Sequence, residues 1–323
     1  MEKGFLPVIS ISQIVRIIKD VLPERELHQV IDHGIWVRQN FELVFNDGSK
    51  AFMKIQIQDE WLDSTVNESR LSKILRNNGL PGPETLYSEP QGENLGLPFI
   101  IQSALKGRHL SDWLSGTSEE QWPRLFEAVG ETYRKIHSIK GHSSGVWVNG
   151  PEKTLPISPN DFYYNAEIMS GSGKHAFDSG EITKQEYLKI QSIWKENLAA
   201  LKNHTPSLVH ASPFPWTFCL SWDEASGYKV SRFTALGDFL WWDPAYDIAF
   251  LLFPPGYAWS DECKNALLSA YGQISEEWRI NLYWILQHLC ELNGVYMLPG
   301  GEPGPKMVKE ETTLRLKNLL AFF

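Results

Sequence analysis

Cysteine is scarce: the 323 residues hold three, Cys219, Cys263 and Cys290, with no metal-type spacing. That pattern argues against a disulfide framework or a cysteine zinc site and points to reduced thiols in a reducing compartment. Long apolar runs are missing too. The opening MEKGFLPVIS is too short in apolar residues for a signal peptide, and no segment approaches a membrane span. A cytoplasmic location with no membrane partner is therefore expected. Positive charge is in deficit, with 30 Lys and Arg against 39 Asp and Glu and a net charge of −9. This sign disfavours nucleic acid and anionic surfaces as partners. Repeats and low-complexity tracts are absent. What remains, 42% hydrophobic and 21% charged, is ordinary globular composition, in a chain long enough for two lobes.

The first hundred residues alternate between strand and helix signals. Residues 9–22 carry apolar side chains at helical spacing and stop at Pro23. Residues 26–32 and 36–45 read as strands, and Asn46-Asp47-Gly48 is a hairpin turn leading to a third strand at 51–57. On that strand Phe52, Lys54 and Gln56 share one face. A helix over 63–78 follows, ended by Asn78-Gly79 before Pro81. Its Glu68 falls beside the apolar stripe of Leu71 and Leu75, where a carboxylate needs a cation, and Lys54 is the candidate. Strands at 85–88 and 97–104 complete five.

Beyond residue 105 the pattern becomes helical. Helices are expected at 109–114, 118–139 (with Ser118 and Gln121 as a capping box), 161–170, 183–202, 262–271, 275–298 and 306–323. Residues 140–160 read as a surface loop and 299–305 as a linker. Gly171-Ser172-Gly173-Lys174 has neither the first glycine nor the Ser or Thr of a phosphate-binding P-loop and reads as a mobile turn. The most informative stretch is 207–247. Leu208-Val209 enters His210, two strands at 218–222 and 228–235 flank a turn, and Asp243-Pro244 starts a helix as N-cap and first residue.

These residues resemble the aminoglycoside phosphotransferase and choline kinase family, relatives of the protein kinases. The match rests on His210 after an apolar pair, the hairpin, and Asp243-Pro244-Ala245-Tyr246-Asp247-Ile248-Ala249. With the strand–helix order before it, the resemblance covers roughly residues 25 to 255. It implies an α+β, two-lobed, protein-kinase-like fold: a small lobe, 1–104, with a five-stranded antiparallel sheet plus helix, and a larger, mainly helical lobe, 105–323. It implies ATP as the cofactor, with Lys54 on the phosphates, Glu68 holding Lys54, Gly34 in the phosphate-covering loop of residues 32–40, and Ser103-Ala104-Leu105 at the hinge. His210 would brace the catalytic loop.

The chemical positions depart from the family. Ser212 stands where the base Asp is expected, and Thr217 and Ala235 stand at the two metal ligands. Serine is no useful base at neutral pH, and alanine binds no metal. This argues against Mg2+ unless Asp238, or Asp243, is shifted into the role. Gly34 is alone in its loop, with Ile35 and Trp36 behind it. Pro213-Phe214-Pro215-Trp216 and Leu240-Trp241-Trp242 add bulk where relatives carry small residues. The leading expectation is a pseudokinase that binds a nucleotide, a small molecule or a protein partner. An active small-molecule phosphotransferase with rearranged ligands, and a scaffold whose cleft is filled by Trp216, Trp241 and Trp242, stay open as alternatives.

Overall fold

The structure, a computed structural model, describes residues 8–35, 38–57, 64–148, 153–156, 158, 160–254, 259–272, 276–292 and 309–323. The linker at 299–305, Asp63 at the start of the second expected helix, and Trp36 lie outside them. The chain divides into two compact units, Met1–Lys106 with Trp147–Lys153, and Gly107–Val146 with Thr154–Phe323.

In the first unit Ser10 starts helix α1 (Ile11–Val21) with a capping box: its side chain accepts from the Gln13 N–H, and the Gln13 side chain returns to the Ser10 N–H. The buried face of α1, Ile14, Ile17 and Ile18, joins Phe41, Leu43, Phe45, Met53, Ile55, Phe99 and Ile101 in one apolar cluster. Those seven come from an antiparallel sheet of β1 (Leu27–Ile35), β2 (Arg38–Phe45), β3 (Lys50–Gln56), β4 (Thr85–Glu89) and β5 (Phe99–Ser103), ordered β1-β2-β3-β5-β4. Period-two alternation sends Phe41, Leu43 and Phe45 of β2 into this core, buries Gln39 on the same side, and leaves the others half-buried on the opposite face. Helix α2 (Ser64–Asn77) lies between β3 and β4 in sequence. It ends where Gly79 takes φ +68 and the Leu80 N–H reaches back to the Leu75 carbonyl at 2.9 Å.

The second unit opens with β6 (Arg108–His109), α3 (Leu110–Gly116) and α4 (Trp122–Ser138). The expected capping box at Ser118 does not form. The Ser118 side chain bonds the Glu120 carboxylate instead, residues Glu119–Gln121 make a 3-10 turn, and α4 begins at Trp122 with Pro123 in its first turn. A proline there needs no N–H partner and already has a helical φ, so it sets the start. The expected loop at 140–160 contains β7 (Gly145–Trp147) and β8 (Thr154–Pro156). Among the helices, the π-type Asn160–Ser170 precedes α5 (Ser172–Asp178), which replaces the mobile turn expected at Gly171 to Lys174. Gly173 belongs to it, close enough to the Ile168 backbone that a Cβ would meet the Ile168 carbonyl oxygen at 2.6 Å.

Then come α6 (Lys184–Leu201), β9 (Ser207–Val209), the hairpin β10 (Phe218–Asp223) and β11 (Gly227–Phe233), β12 (Leu240–Trp242), α7 (Pro244–Leu252), α8 (Asp261–Tyr271), α9 (Glu277–Leu292) and α10 (Lys309–Phe322). Two small sheets, β11-β10-β6 and β8-β7-β12-β9, fix the segment between β9 and β10. No helix among the described residues is long and apolar enough to cross a membrane.

Helix α4 carries two residues used below, and its crossing with α8 depends on Gly130. A Cβ at Gly130 would lie 2.3 Å from the Leu267 carbonyl oxygen of α8. Gly130→Ala gains helix propensity of about 1 kcal/mol but overpacks the crossing, which costs about 1–3 kcal/mol. The expected net result is a lower urea midpoint at unchanged helical circular dichroism.

Candidate functional site

In the first unit Lys54 Nζ donates to Glu68 Oε2 at 2.8 Å. Glu68 is 1% exposed because its neighbours Leu71 and Leu75 draw that face of α2 inward. A carboxylate so buried needs compensation, and it has a second cation that the sequence does not disclose: Arg38 Nη1 bonds Oε1. The β2–β3 register pairs Asn40 with Lys54. Arg38, two residues along β2, therefore stands on the same face as Lys54. Strand periodicity shows that Arg38 and Lys54 each lie opposite the core, but only the cross-strand register makes them neighbours.

Gly34 takes φ +79, and its N–H donates to Asp32 Oδ1 at 2.7 Å. The one glycine amide of this loop is thus turned onto a carboxylate of the same loop, in an Asx turn. The Ser103 and Ala104 N–H groups donate to the Glu84 and Lys50 carbonyls at 2.8 and 2.9 Å, inside the same unit. Leu105 follows half-buried.

In the second unit the segment after β9 is held by one carboxylate. Asp247, fully buried on α7, accepts the His210 N–H at 2.7 Å on Oδ2 and the Ala211 N–H at 2.9 Å on Oδ1. His137 Nε2 from α4 lies 3.0 Å from Oδ2, and its Nδ1 lies 2.9 Å from the Tyr271 hydroxyl. Between these anchors Ala211 adopts φ +61, the one positive φ outside glycine among the described residues. A Cβ in the left-handed region costs roughly 1–2 kcal/mol, so the bonds to Asp247 hold a strained backbone. Asp247 is present in the sequence motif, but its role as the loop's anchor is visible only in three dimensions. His210 is fully buried, its Nδ1 2.7 Å from the Tyr133 hydroxyl and its ring against Phe239 and Phe233 at 4.6 and 5.3 Å. Burial, partly offset by Asp247, pushes its pKa down to about 4. It is a neutral wedge at pH 7, and Nε2 meets no protein partner.

Ser212 sits half-buried in the following turn. Thr217 closes that turn. Its hydroxyl lies against the Ser212 and Phe214 carbonyls and accepts the Phe214 N–H at 3.0 Å. One proton and two lone pairs allow little else, so position 217 is an internal staple. The Thr234 N–H donates to the Thr217 carbonyl at 2.8 Å, and Phe218 pairs with Phe233, which puts Thr234 opposite Thr217 and Ala235 one residue beyond. Ala235 leads into the 3-10 turn Leu236–Asp238. Asp238 is half-buried there, and its charge acts on the Tyr246 hydroxyl.

Asp243 is committed elsewhere: Oδ1 caps α7 at the Ala245 N–H, and Oδ2 meets Arg279 Nη1 at 2.9 Å and the Tyr283 hydroxyl at 3.3 Å. Trp241 and Trp242 are packing residues of this unit. A Cβ at Gly141 would touch Trp241 at 2.6 Å, and the Trp242 ring lies 5.5 Å from Tyr163 and 5.9 Å from His204. Trp216 stacks on Phe214 at 5.0 Å. Cys219 and Cys263 are buried and Cys290 is half-buried.

A five-stranded antiparallel sheet with a helix after its third strand, followed by a mainly helical unit with a His-led loop and hairpin, is a protein-kinase-like α+β fold. The sequence profile of the phosphotransferase enzyme family matches residues 29–280, and the chain belongs to that family. Among solved structures it is similar to aminoglycoside phosphotransferase APH(2'')-Ib with bound ADP, at TM-score 0.62 and 17% identity over 97% of each chain. It is also similar to the streptomycin–ATP–APH(2")-IIa ternary complex, at TM-score 0.60 and 16% identity over 98% of each chain. A third, a thermostable APH(4)-Ia mutant with AMP-PNP and hygromycin B, has TM-score 0.58 and 14% identity over 96% of this chain and 98% of that one. The search of curated proteins found no match.

Two expectations follow for the loop. Ala211→Gly removes the left-handed penalty and should raise unfolding stability by about 1 kcal/mol in urea titrations; no gain would mean the backbone there is unstrained. For His210 the folded pKa is depressed below its ordinary 6.5 to about 4. Its neutral form is then favoured in the fold, so stability is full above pH 6.5 and falls as pH drops from 6.5 to 4. His210→Gln should lose less stability than wild type between pH 7.5 and pH 4.5.

Proposed function

We propose that this phosphotransferase-family protein is a pseudokinase: it keeps the frame that positions catalytic residues but does not transfer phosphate. The observation that carries this reading is the Thr217 hydroxyl, spent on the Ser212 and Phe214 backbone at the position where the family holds metal. The Ala235 side chain offers no ligand atom, and Asp243 is bound to Arg279. These residues do not fit a magnesium ion. Ser212 supplies no base. Phosphoryl transfer depends on positioning and charge neutralisation, so losing both ligands weighs more than losing the base, itself worth about 10²–10⁴ in rate.

A nucleotide such as ATP remains the proposed ligand, because relatives are seen with ATP, ADP and AMP-PNP and the Lys54–Glu68 pair is formed. In this reading Lys54 meets the phosphates, and 103–105 form the hinge between lobes divided at 104/105. The Gly34 amide, held by Asp32, contributes little. A small molecule or a protein partner would then read the bound state. The protein is placed in the cytoplasm, where Cys219, Cys263 and Cys290 stay reduced. The second reading, an active phosphotransferase acting on amines or sugars, is favoured by that same ion pair and requires Asp238 to reach a metal.

The deciding experiment measures ATP turnover with Mg2+ over a panel of amines and sugars. Wild type is expected at background, and ATP is expected to shift the melting temperature equally with and without Mg2+. Turnover by wild type, or a shift that needs Mg2+, overturns the pseudokinase reading in favour of the enzyme. The triple variant Ser212→Asp, Thr217→Asn, Ala235→Asp is expected to be the first with metal-dependent turnover, since residues acting as a unit are non-additive.

A further inference from the structure

The second unit contains a cavity of about 470 Å3 behind the loop brace, lined among others by Lys140, Asn203, Thr205, Tyr271, Glu276 and Arg279. It lies where α4, α6 and α8 end and α7 and α9 begin. The charged groups at its wall are partly committed. Lys140 Nζ donates to the His137 carbonyl at 2.9 Å and to Ser207 Oγ at 2.8 Å, which leaves one ammonium N–H. Arg279 donates to Asp243, the Ala200 carbonyl and Glu276, one bond each from Nη1, Nη2 and Nε, which leaves two guanidinium N–H. Three charged N–H donors are thus left over on a wall where Lys140 and Arg279 are matched in formal charge by Asp243 and Glu276. Tyr271, on the same wall, is the outer end of the chain Tyr271–His137–Asp247 that holds the His210 and Ala211 amides.

We propose that this cavity binds a small oxyanion, a phosphate or carboxylate group, and that its occupancy is communicated through Tyr271 to the strained loop at Ala211. The proposal does not depend on whether the loop is catalytic. A bound oxyanion near the cationic donors changes the field at the Tyr271 hydroxyl and so the bond it shares with His137. Any effect on the loop is then limited to the difference in affinity between the structured loop and the exchanging one.

Isothermal titration with inorganic phosphate and, separately, succinate tests binding. Hydrogen exchange of the peptide spanning 207–217 tests the coupling. Wild type should bind at least one probe saturably at one site, and binding should slow exchange at the His210 and Ala211 amides. Lys140→Met should weaken binding about 10- to 100-fold, the worth of a charged hydrogen bond. Asn203→Asp, at an exposed position, should abolish it without touching the fold. Tyr271→Phe should bind but no longer slow exchange. No binding of either probe, or binding unchanged in both Lys140→Met and Asn203→Asp, overturns the site. Slowed exchange that persists in Tyr271→Phe overturns the route.

Discussion

One buried carboxylate organises the second unit. Asp247 has no exposure, so its charge must be met inside the protein, and three N–H groups from two other places in the chain meet it. The consequence is mutual. The carboxylate is tolerable because the loop and His137 converge on it, and the loop can hold Ala211 at φ +61 because the carboxylate pins both neighbouring amides. Breaking one partner of such a buried set leaves the others uncompensated, at a cost of about 3–5 kcal/mol. The loop geometry thus has a structural reason to persist whatever chemistry it carries.

The first unit repeats the principle with a second buried carboxylate, here met by cations. Glu68 is nearly buried and gathers Lys54 and Arg38, so α2 is tied to two strands by one side chain. An ion pair of this kind serves a nucleotide site in the family, yet it is also a tie between helix and sheet. The tie therefore has a structural reason to persist whether or not a nucleotide binds. The frames of the two units rest on Glu68 and Asp247.

Thr217 is a local instance of the same economy. Its side chain turns inward and closes its own turn, and Pro213 and Pro215 stiffen the same segment. Trp241 finds space over Gly141 and Trp242 against Tyr163. Bulk that looks obstructive in a linear alignment of types is core packing once the strands are placed.

By itself the sequence determined the element order of the first unit, the Asn46-Asp47-Gly48 hairpin, the Lys54–Glu68 partnership, the β10–β11 hairpin and the capped start of α7. Each is a local signal: side-chain period, turn residues, an N-cap followed by proline, or one buried charge with one obvious partner. Tertiary structure alone decided the start of α4, the strands β7 and β8 inside an apparent loop, and the helical state of 172–178, because neighbours outside those segments supply their hydrogen bonds and packing. It also decided which groups meet. Arg38 reaches Glu68 through cross-strand register, His137 and Tyr133 reach the loop from α4 across more than seventy residues, and Arg279 takes Asp243 away from any ligand. Such pairings depend on distances between segments remote in the chain, and no spacing within the sequence encodes them.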